Sequence, residues 1–385
     1  MSGDGTGVGG GGASVGPGGR LRVVFAPDSF KGTVAAADAA DALARGWRAV
    51  RPGDEVVLRP MADGGEGTLD AFAAAVAGAR RMPVQVAGPD SRPAASSWVL
   101  LPDGTGVVEL AATSGITMLD PLLPLDAHTV GFGQAIAAAL DHGVDRLLLG
   151  LGGSATSDGG GGALEVLGAR FADAAGEPIP RGNRGLGVVA SADLSGLRPL
   201  PRGGAVVLGD VTNPLLGPSG AAAVFGPQKG ADAATVDVLE ANLARLAGLL
   251  PAVDPETPGT GAAGGTGFAM LAWGAELGGG AELIARIVGL PEAVRGASLV
   301  ITGEGRYDGQ SEAGKAPTEV AGIAERAGVP VALVAGAITA DATRFAASAS
   351  LSELAGDGAA AMADGPRWLA EAGAVLARTL GATLG

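Results

Sequence analysis

With 385 residues, 69 of them glycine and none cysteine, the chain is long enough for two domains and lacks disulfides, thiol nucleophiles and cysteine metal sites. A net charge of −14 and 3% aromatic residues exclude a nucleic-acid binder, which needs basic patches and stacking rings. No apolar run is long and clean enough to span a bilayer, so a cytoplasmic protein with no membrane partner is expected.

Residues 1–19, "MSGDGTGVGGGGASVGPGG", are too rich in glycine and too polar for a signal or transit peptide and read as a disordered tail. "LRVVFA" (21–26) reads as a buried strand, "TVAAADAADALARGWRAV" (33–50) as an alanine-rich helix, and "EVVLRP" (55–60) as a second strand. "MADGGEG" is then a loop and "TLDAFAAAVAG" a helix. "RRMPVQVAGP" and "SSWVLLPDGTGVVELAA", with an Asp-Gly turn inside the latter, read as strands joined by a hairpin. A helix is predicted over 129–142, strands over 145–150 and 204–210, and an amphipathic helix over 233–250. Strand–helix alternation returns late: a strand at 297–303, the loop "EGRYDGQSEAGKA", a helix with proline in its first turn, a strand at 330–336 and a C-terminal helix.

That order predicts an α/β fold of two α/β domains. One is a doubly wound parallel sheet formed by both ends of the chain, residues 20–84 and 286–385; the second, 85–285, is inserted between them.

Five polar loops each follow a strand: "APDSFKG", "PMADGGEG", "GLGGSATSD", "GDVTNPL" and "ITGEGRYDGQSEAGK". Acidic side chains at strand ends can hold Mg²⁺ or take a proton from a hydroxyl. Neighbouring glycines and hydroxyl residues let backbone N–H groups close on anion oxygens. Only three lysines occur against 23 arginines, and each adjoins a glycine: Lys31, Lys229 and Lys315. An ammonium is a compact point charge for a terminal phosphate or carboxylate, and the combination suits phosphoryl transfer.

Simpler readings stand beside this one. Asp28 or Ser29 can cap the following helix, Glu66 can answer a helix dipole, and "GGSATSDGGGG" can be a flexible loop. With so much glycine, about two G-x-G-x-x-G matches arise by chance, so "GTGAAG" (259–264), which no strand precedes, is no dinucleotide fingerprint. "GQSEAGKA" lacks the Ser or Thr that a Walker motif places after lysine. His128 and His142 have no catalytic spacing, and no G-x-S-x-G elbow is present.

Taken together, "APDSFKG", "ADGGEGT", "GLGGSATSDGG", "DVTNPLLGPSGAAAVFGPQKGA", "GAAGGTGFA" and "ITGEGRYDGQSEAGKAPTEVA" resemble the bacterial glycerate kinases of the type-1 family, in order from about Leu21 to Gly336. Ser157 in "SATSDGG" and Phe132 and Gln134 in "AHTVGFGQ" depart from the usual family pattern. The resemblance implies a two-domain protein with a flavodoxin-like domain, an interdomain active site, and phosphorylation of D-glycerate by ATP with Mg²⁺, usually to 2-phosphoglycerate. Read with the loops, it makes Asp28, Asp63 and Asp210 candidate bases and Lys31 a catalytic cation. Ser29, Gly64, Gly65, Gly152, Gly153, Ser154, Thr156, Asn213, Lys229, Arg306 and Lys315 are expected to bind substrate or phosphate, and Glu66, Asp158, Glu304 and Asp308 to hold Mg²⁺. Glycerate and ATP are the expected partners, with a homo-oligomer as a further option. Alternatives are a kinase for another small hydroxy acid, glycerate 3-phosphorylation, a non-catalytic anion-binding protein and, last, a nicotinamide dehydrogenase.

Overall fold

The structure, a computed structural model, describes residues 19–30, 32–309 and 316–384. Lys31, Lys315 and all of the glycine-rich tail except Gly19 lie outside the described residues. Thirteen strands occur among the described residues: β1 (Arg22–Pro27), β2 (Glu55–Leu58), β3 (Arg80–Ala87), β4 (Pro93–Leu100), β5 (Thr105–Glu109), β6 (Arg146–Gly150), β7 (Arg170–Ala172), β8 (Ser191–Asp193), β9 (Ala205–Leu208), β10 (Glu276–Gly278), β11 (Leu299–Tyr307), β12 (Val331–Ile338) and β13 (Ala347–Ser350).

One five-stranded sheet runs β13-β12-β11-β1-β2 and is parallel throughout. Counted along the chain within that sheet, its order is 2-1-3-4-5, the flavodoxin-like doubly wound arrangement that the resemblance implies. Burial on both faces explains the unbroken apolar run Val23–Ala26 in β1, an interior strand of this sheet. The helices Ala36–Val50 and Gly365–Leu384 cover one face through Leu43, Trp47, Leu369 and Leu376. They approach so closely that a Cβ on Gly46 would lie 1.7 Å from the Ala370 carbonyl oxygen. The opposite face is covered by Gly280–Ile287, Leu290–Val294 and Ala316–Arg326.

A six-stranded sheet, β10-β9-β6-β5-β4-β3, is parallel from β10 to β5 and antiparallel at the β5-β4-β3 end. Asp103 and Gly104 turn the predicted hairpin between β4 and β5; the Thr105 N–H donates to Asp103 Oδ1 at 3.0 Å. Helices Val130–His142, Ala233–Leu249 and Ala262–Ala272 pack over this sheet.

Three local expectations are corrected. The first helix begins at Ala36, three residues later than expected, because Phe30 and Val34 exchange backbone hydrogen bonds of 2.8 and 3.1 Å and close a tight turn. Its N-cap is Ala35, so neither Asp28 nor Ser29 caps it. The "EGRYD" stretch is not all loop: β11 continues to Tyr307, since Glu304, Arg306 and Tyr307 pair with Ala335, Ala337 and Ile338 of β12. The three-residue β7, β8 and β10 and the four-residue β13 are too short to carry a decisive periodic pattern and went unpredicted. Gly259–Gly264 follow a turn rather than a strand, and the helix there contains left-handed Ala263, Gly264 and Gly265.

Candidate active site

A parallel sheet gathers ligand-handling loops beyond the carboxyl ends of its strands, at the point where chain order reverses. In the five-stranded sheet that point lies between β1 and β11. A cavity of about 460 Å³ opens there. Asp28, Ser29, Thr33, Asp63, Glu304, Arg306, Asp308 and Ser352 supply its polar lining, and Phe30, Val34, Leu351, Ala361 and Met362 form an apolar wall.

Asp28 continues the pairing of β1, donating its N–H to the Gly303 carbonyl at 2.8 Å. Its side chain is buried, and Oδ1 accepts the Ser29 N–H at 2.7 Å. Ser29 Oγ is buried with no hydrogen-bond partner among the described residues. Glu304 is buried in β11, whereas Arg306 is exposed and pairs with Asp308 at 3.6 Å. Extension of β11 thus carries Glu304 and Arg306 to the cavity on a strand instead of on a loop.

The loop after β2 brings Asp63, whose Oδ1 accepts the Gly65 N–H at 2.9 Å. Gly64 has φ +88°, and its carbonyl accepts the Gly152 N–H at 3.0 Å, from the loop after β6. A Cβ on Gly152 would lie 2.4 Å from Gly65 Cα. The glycine-rich loops of the two sheets therefore interlock backbone to backbone, an arrangement that only glycine permits here.

Asp210, beyond β9, joins the same region from the second sheet. Its Oδ1 accepts the Gly280 N–H at 2.9 Å, and Oδ2 is buried with no hydrogen-bond partner among the described residues. A Cβ on Gly280 would lie 2.6 Å from the Asp63 carbonyl oxygen, which places the two aspartates' loops against each other. Burial, and secondarily the charges of Asp63 and Glu319, push the Asp210 carboxyl above its ordinary range.

Other expected residues form a separate buried knot. Asp158 Oδ2 accepts from the Thr129 N–H at 2.8 Å, the Thr129 hydroxyl at 2.9 Å and the Gly162 N–H at 3.2 Å, while Oδ1 accepts the Gly160 N–H at 3.1 Å. Lys229 Nζ is buried and donates to the Thr156 carbonyl at 2.5 Å. Burial pushes that ammonium down to about 8, with Asp158 opposing the shift. The Thr156 N–H donates to Ser154 Oγ at 2.9 Å. Asn213 Nδ2 donates to the Ser219 carbonyl at 2.7 Å and binds its own loop. Glu66 is exposed beside Gly153, with 3.8 Å between its Cβ and the position a Cβ would take on that glycine. None of Glu66, Asp158, Ser154, Thr156, Lys229, Asn213 and Asp210 lines the 460 Å³ cavity.

Two acids were missed from sequence. Glu319 stands in the first turn of Ala316–Arg326 and acts on Asp210 through its charge. Glu109 ends β5 as a buried carboxylate, and burial pushes it up to about 7 despite two backbone N–H bonds that pull it down. An acid directly ending the apolar run "GVVE" was the signal available for it.

A doubly wound sheet with acids gathered round a cavity at its switch point is the architecture of an α/β enzyme that works on small ligands. A sequence model described as the Glycerate kinase family matches residues 23–381, and the chain belongs to that family. It is 43% identical over 330 residues to a glycerate kinase of Bacillus subtilis (strain 168), spanning 83% of this chain and 86% of the relative. It is 42% identical over 330 residues to a glycerate 2-kinase of Escherichia coli (strain K12), with the same shares covered. A crystal structure assigned as glycerate kinase 2 from Salmonella typhimurium LT2 superposes with a TM-score of 0.81 at 39% identity, covering 95% of this chain and 99% of that one. The protein is accordingly a kinase, a phosphotransferase whose family membership implies ATP as donor. Among the described residues, no helix is long and apolar enough to cross a membrane.

Proposed function

We propose that the chain phosphorylates the 2-hydroxyl of D-glycerate with ATP, in a cleft between two domains whose cores are the two large sheets, and that it works in the cytoplasm. The observation that carries this reading is the meeting of Asp63, from the five-stranded sheet, with Asp210, from the six-stranded one, beside a cavity lined by Asp28, Glu304 and Asp308. The named activity of the Escherichia coli relative supports the 2-position.

In this reading the glycerate hydroxyl oxygen bonds to the γ-phosphorus, the bond from that phosphorus to the β–γ bridging oxygen breaks, and ADP departs. Asp210 accepts the hydroxyl proton. One of its oxygens is fixed by Gly280, the other has no partner among the described residues, and burial raises its proton affinity above that of an ordinary carboxylate, which favours proton uptake. Asp63 orients the hydroxyl beside it. Arg306, in the lining of the cavity, meets phosphate oxygens.

The donor set fits Mg²⁺ in one mode. The cavity offers hard carboxylate oxygens, yet among the described residues no group of three or more His, Cys, Asp or Glu is disposed to hold a metal by itself. Mg²⁺ commonly binds one or two carboxylates together with substrate phosphates and water, so these residues suit an ion that arrives with the nucleotide. Glu304 and Asp308 would hold it, and it would neutralise triphosphate charge. Asp158 is left out of this set because both of its oxygens already accept hydrogen bonds.

The test is ADP release in a coupled assay with D- and L-glycerate, followed by enolase, which accepts 2-phosphoglycerate directly. Signal from D-glycerate through enolase is expected. ADP release without enolase signal would move phosphorylation to the 3-position, and faster turnover of tartronate or glycolate would reassign the substrate. Asp210→Asn should lower kcat by about 10²- to 10⁴-fold; an unchanged kcat would remove Asp210 from the chemistry.

A further inference from the structure

Glu109 belongs to the six-stranded sheet, but its carboxylate serves an element that enters from the other one. The helix Thr68–Ala75 follows the Asp63–Glu66 loop and starts without a cap of its own, since its N-cap is Gly67 at φ +93°. The first N–H groups of a helix have no partner within it. Here Glu109 supplies one: the Leu69 N–H donates to Oε2 at 2.9 Å, and the Gly67 N–H donates to Oε1 at 3.3 Å. Glu109 is only 5% exposed. When ionised, its two oxygens each take a different N–H, whereas an amide in its place can accept only one of them.

The position of Glu109 in its own sheet completes the link. It is in register with Gly150, the residue from which the Gly152–Gly153 loop departs. A Cβ on Gly150 would lie 2.8 Å from the Gly64 carbonyl oxygen. On the far side of the loop, the Thr68 hydroxyl donates to the Gly65 carbonyl at 2.7 Å. Glu109, Gly150 and the start of the helix thus enclose Gly64–Gly67, leaving Asp63 on the cavity side. Glu66 and Asp70 are the charges that face Glu109, and Asp70 is itself paired with Arg81. Neither is a cation that would bind the carboxylate, so its role is read from the two N–H bonds.

We infer that Glu109 is a positioning residue for phosphoryl transfer: it caps the helix Thr68–Ala75 from the second sheet and thereby holds the Asp63 loop against the Gly152 loop. The inference rests on the reading of Asp63 as part of the reacting site, so Asp63→Asn is measured alongside.

The experiment is steady-state kinetics on the full chain for Glu109→Ala, Glu109→Gln and Asp63→Asn, with hydrogen exchange of the peptide spanning residues 64–69. The expected result is a loss of about ten-fold or more in kcat for Glu109→Ala, a smaller loss for Glu109→Gln, KM for both substrates within two-fold, and faster exchange in that peptide. Glu109→Gln keeps the volume of the side chain and answers the question if the alanine variant does not fold. Unchanged kcat in the glutamine variant with faster exchange would reduce Glu109 to a purely structural cap and overturn the inference. Unchanged exchange would also overturn it, because the cap would then hold nothing. Full activity in Asp63→Asn would overturn it at its premise, and that result is distinct because it leaves the exchange change at Glu109 in place.

Discussion

Replacing Gly152 with alanine puts one methyl group into the interlock between the two sheets. Built on the backbone as it stands, that Cβ lies 2.4 Å from Gly65 Cα, 3.1 Å from Gly65 N and 3.5 Å from the Gly64 carbonyl oxygen. All three are main-chain atoms, so no rotamer change relieves the clash. Ordinary contact begins near 3.4 Å, and the loops must therefore part by about 1 Å. Overpacking of this kind costs about 1–3 kcal/mol. The larger effect falls on turnover, since a displacement of about 1 Å of positioned groups can cost about 10²-fold. Two assays decide it: the urea midpoint with its slope, and kcat at saturating ATP and glycerate. Gly53→Ala is the control, because a Cβ there meets nothing within 4 Å and no left-handed φ is required. Gly152→Ala with a midpoint and a kcat both matching the Gly53→Ala control would refute the interlock and the coupling drawn from it.

Three further outcomes follow from the same geometry. Asp232 caps Ala233–Leu249 by accepting the Thr235 N–H at 2.8 Å, so Asp232→Ala should cost about 1 kcal/mol in denaturant unfolding and leave kcat unchanged. Glu109 is pushed from 4.5 to about 7, so the folded chain holds a proton that the unfolded chain has released; this stabilising contribution is full below about 4.5 and is lost as pH rises through about 7. The displacement corresponds to about 3 kcal/mol, and urea midpoints at pH 5 and pH 8 should shift in the parent's favour over Glu109→Gln at the lower pH. Lys229→Met should lower the thermal midpoint yet leave the ATP KM within about two-fold, because Nζ is spent on the Thr156 carbonyl inside the knot. A KM raised ten-fold or more in that variant would restore Lys229 to phosphate binding.

Much of the architecture was legible because it is written in local pattern. Apolar runs such as Val23–Ala26 and Leu147–Leu149 can only be buried strands or buried helices, and the turn residues around them settle the choice. The loops at strand ends were legible for the same reason: Asp28, Asp63, Asp210 and Glu304 each close an apolar run and adjoin glycine or serine. The start of the first helix was misread because a bridge between Phe30 and Val34 depends on backbone bonds that periodicity does not report. Glu304 and Arg306 were assigned to a loop because their strand character comes from β12, which lies about 30 residues later in the chain.

By itself the sequence determined an acidic, cysteine-free α/β chain, the flavodoxin-like doubly wound sheet, and the family to which its six long motifs point. Only the tertiary structure decided which polar residues share a space. It set Asp28, Asp63, Glu304, Arg306 and Asp308 round one cavity and brought Asp210 to Asp63. It also drew Asp158 and Lys229 into a buried knot and gave Glu109 a helix to cap. The physical reason is range. Burial pattern and turn chemistry act between near neighbours in sequence, whereas a site is an encounter between strand ends that only sheet order and register bring together.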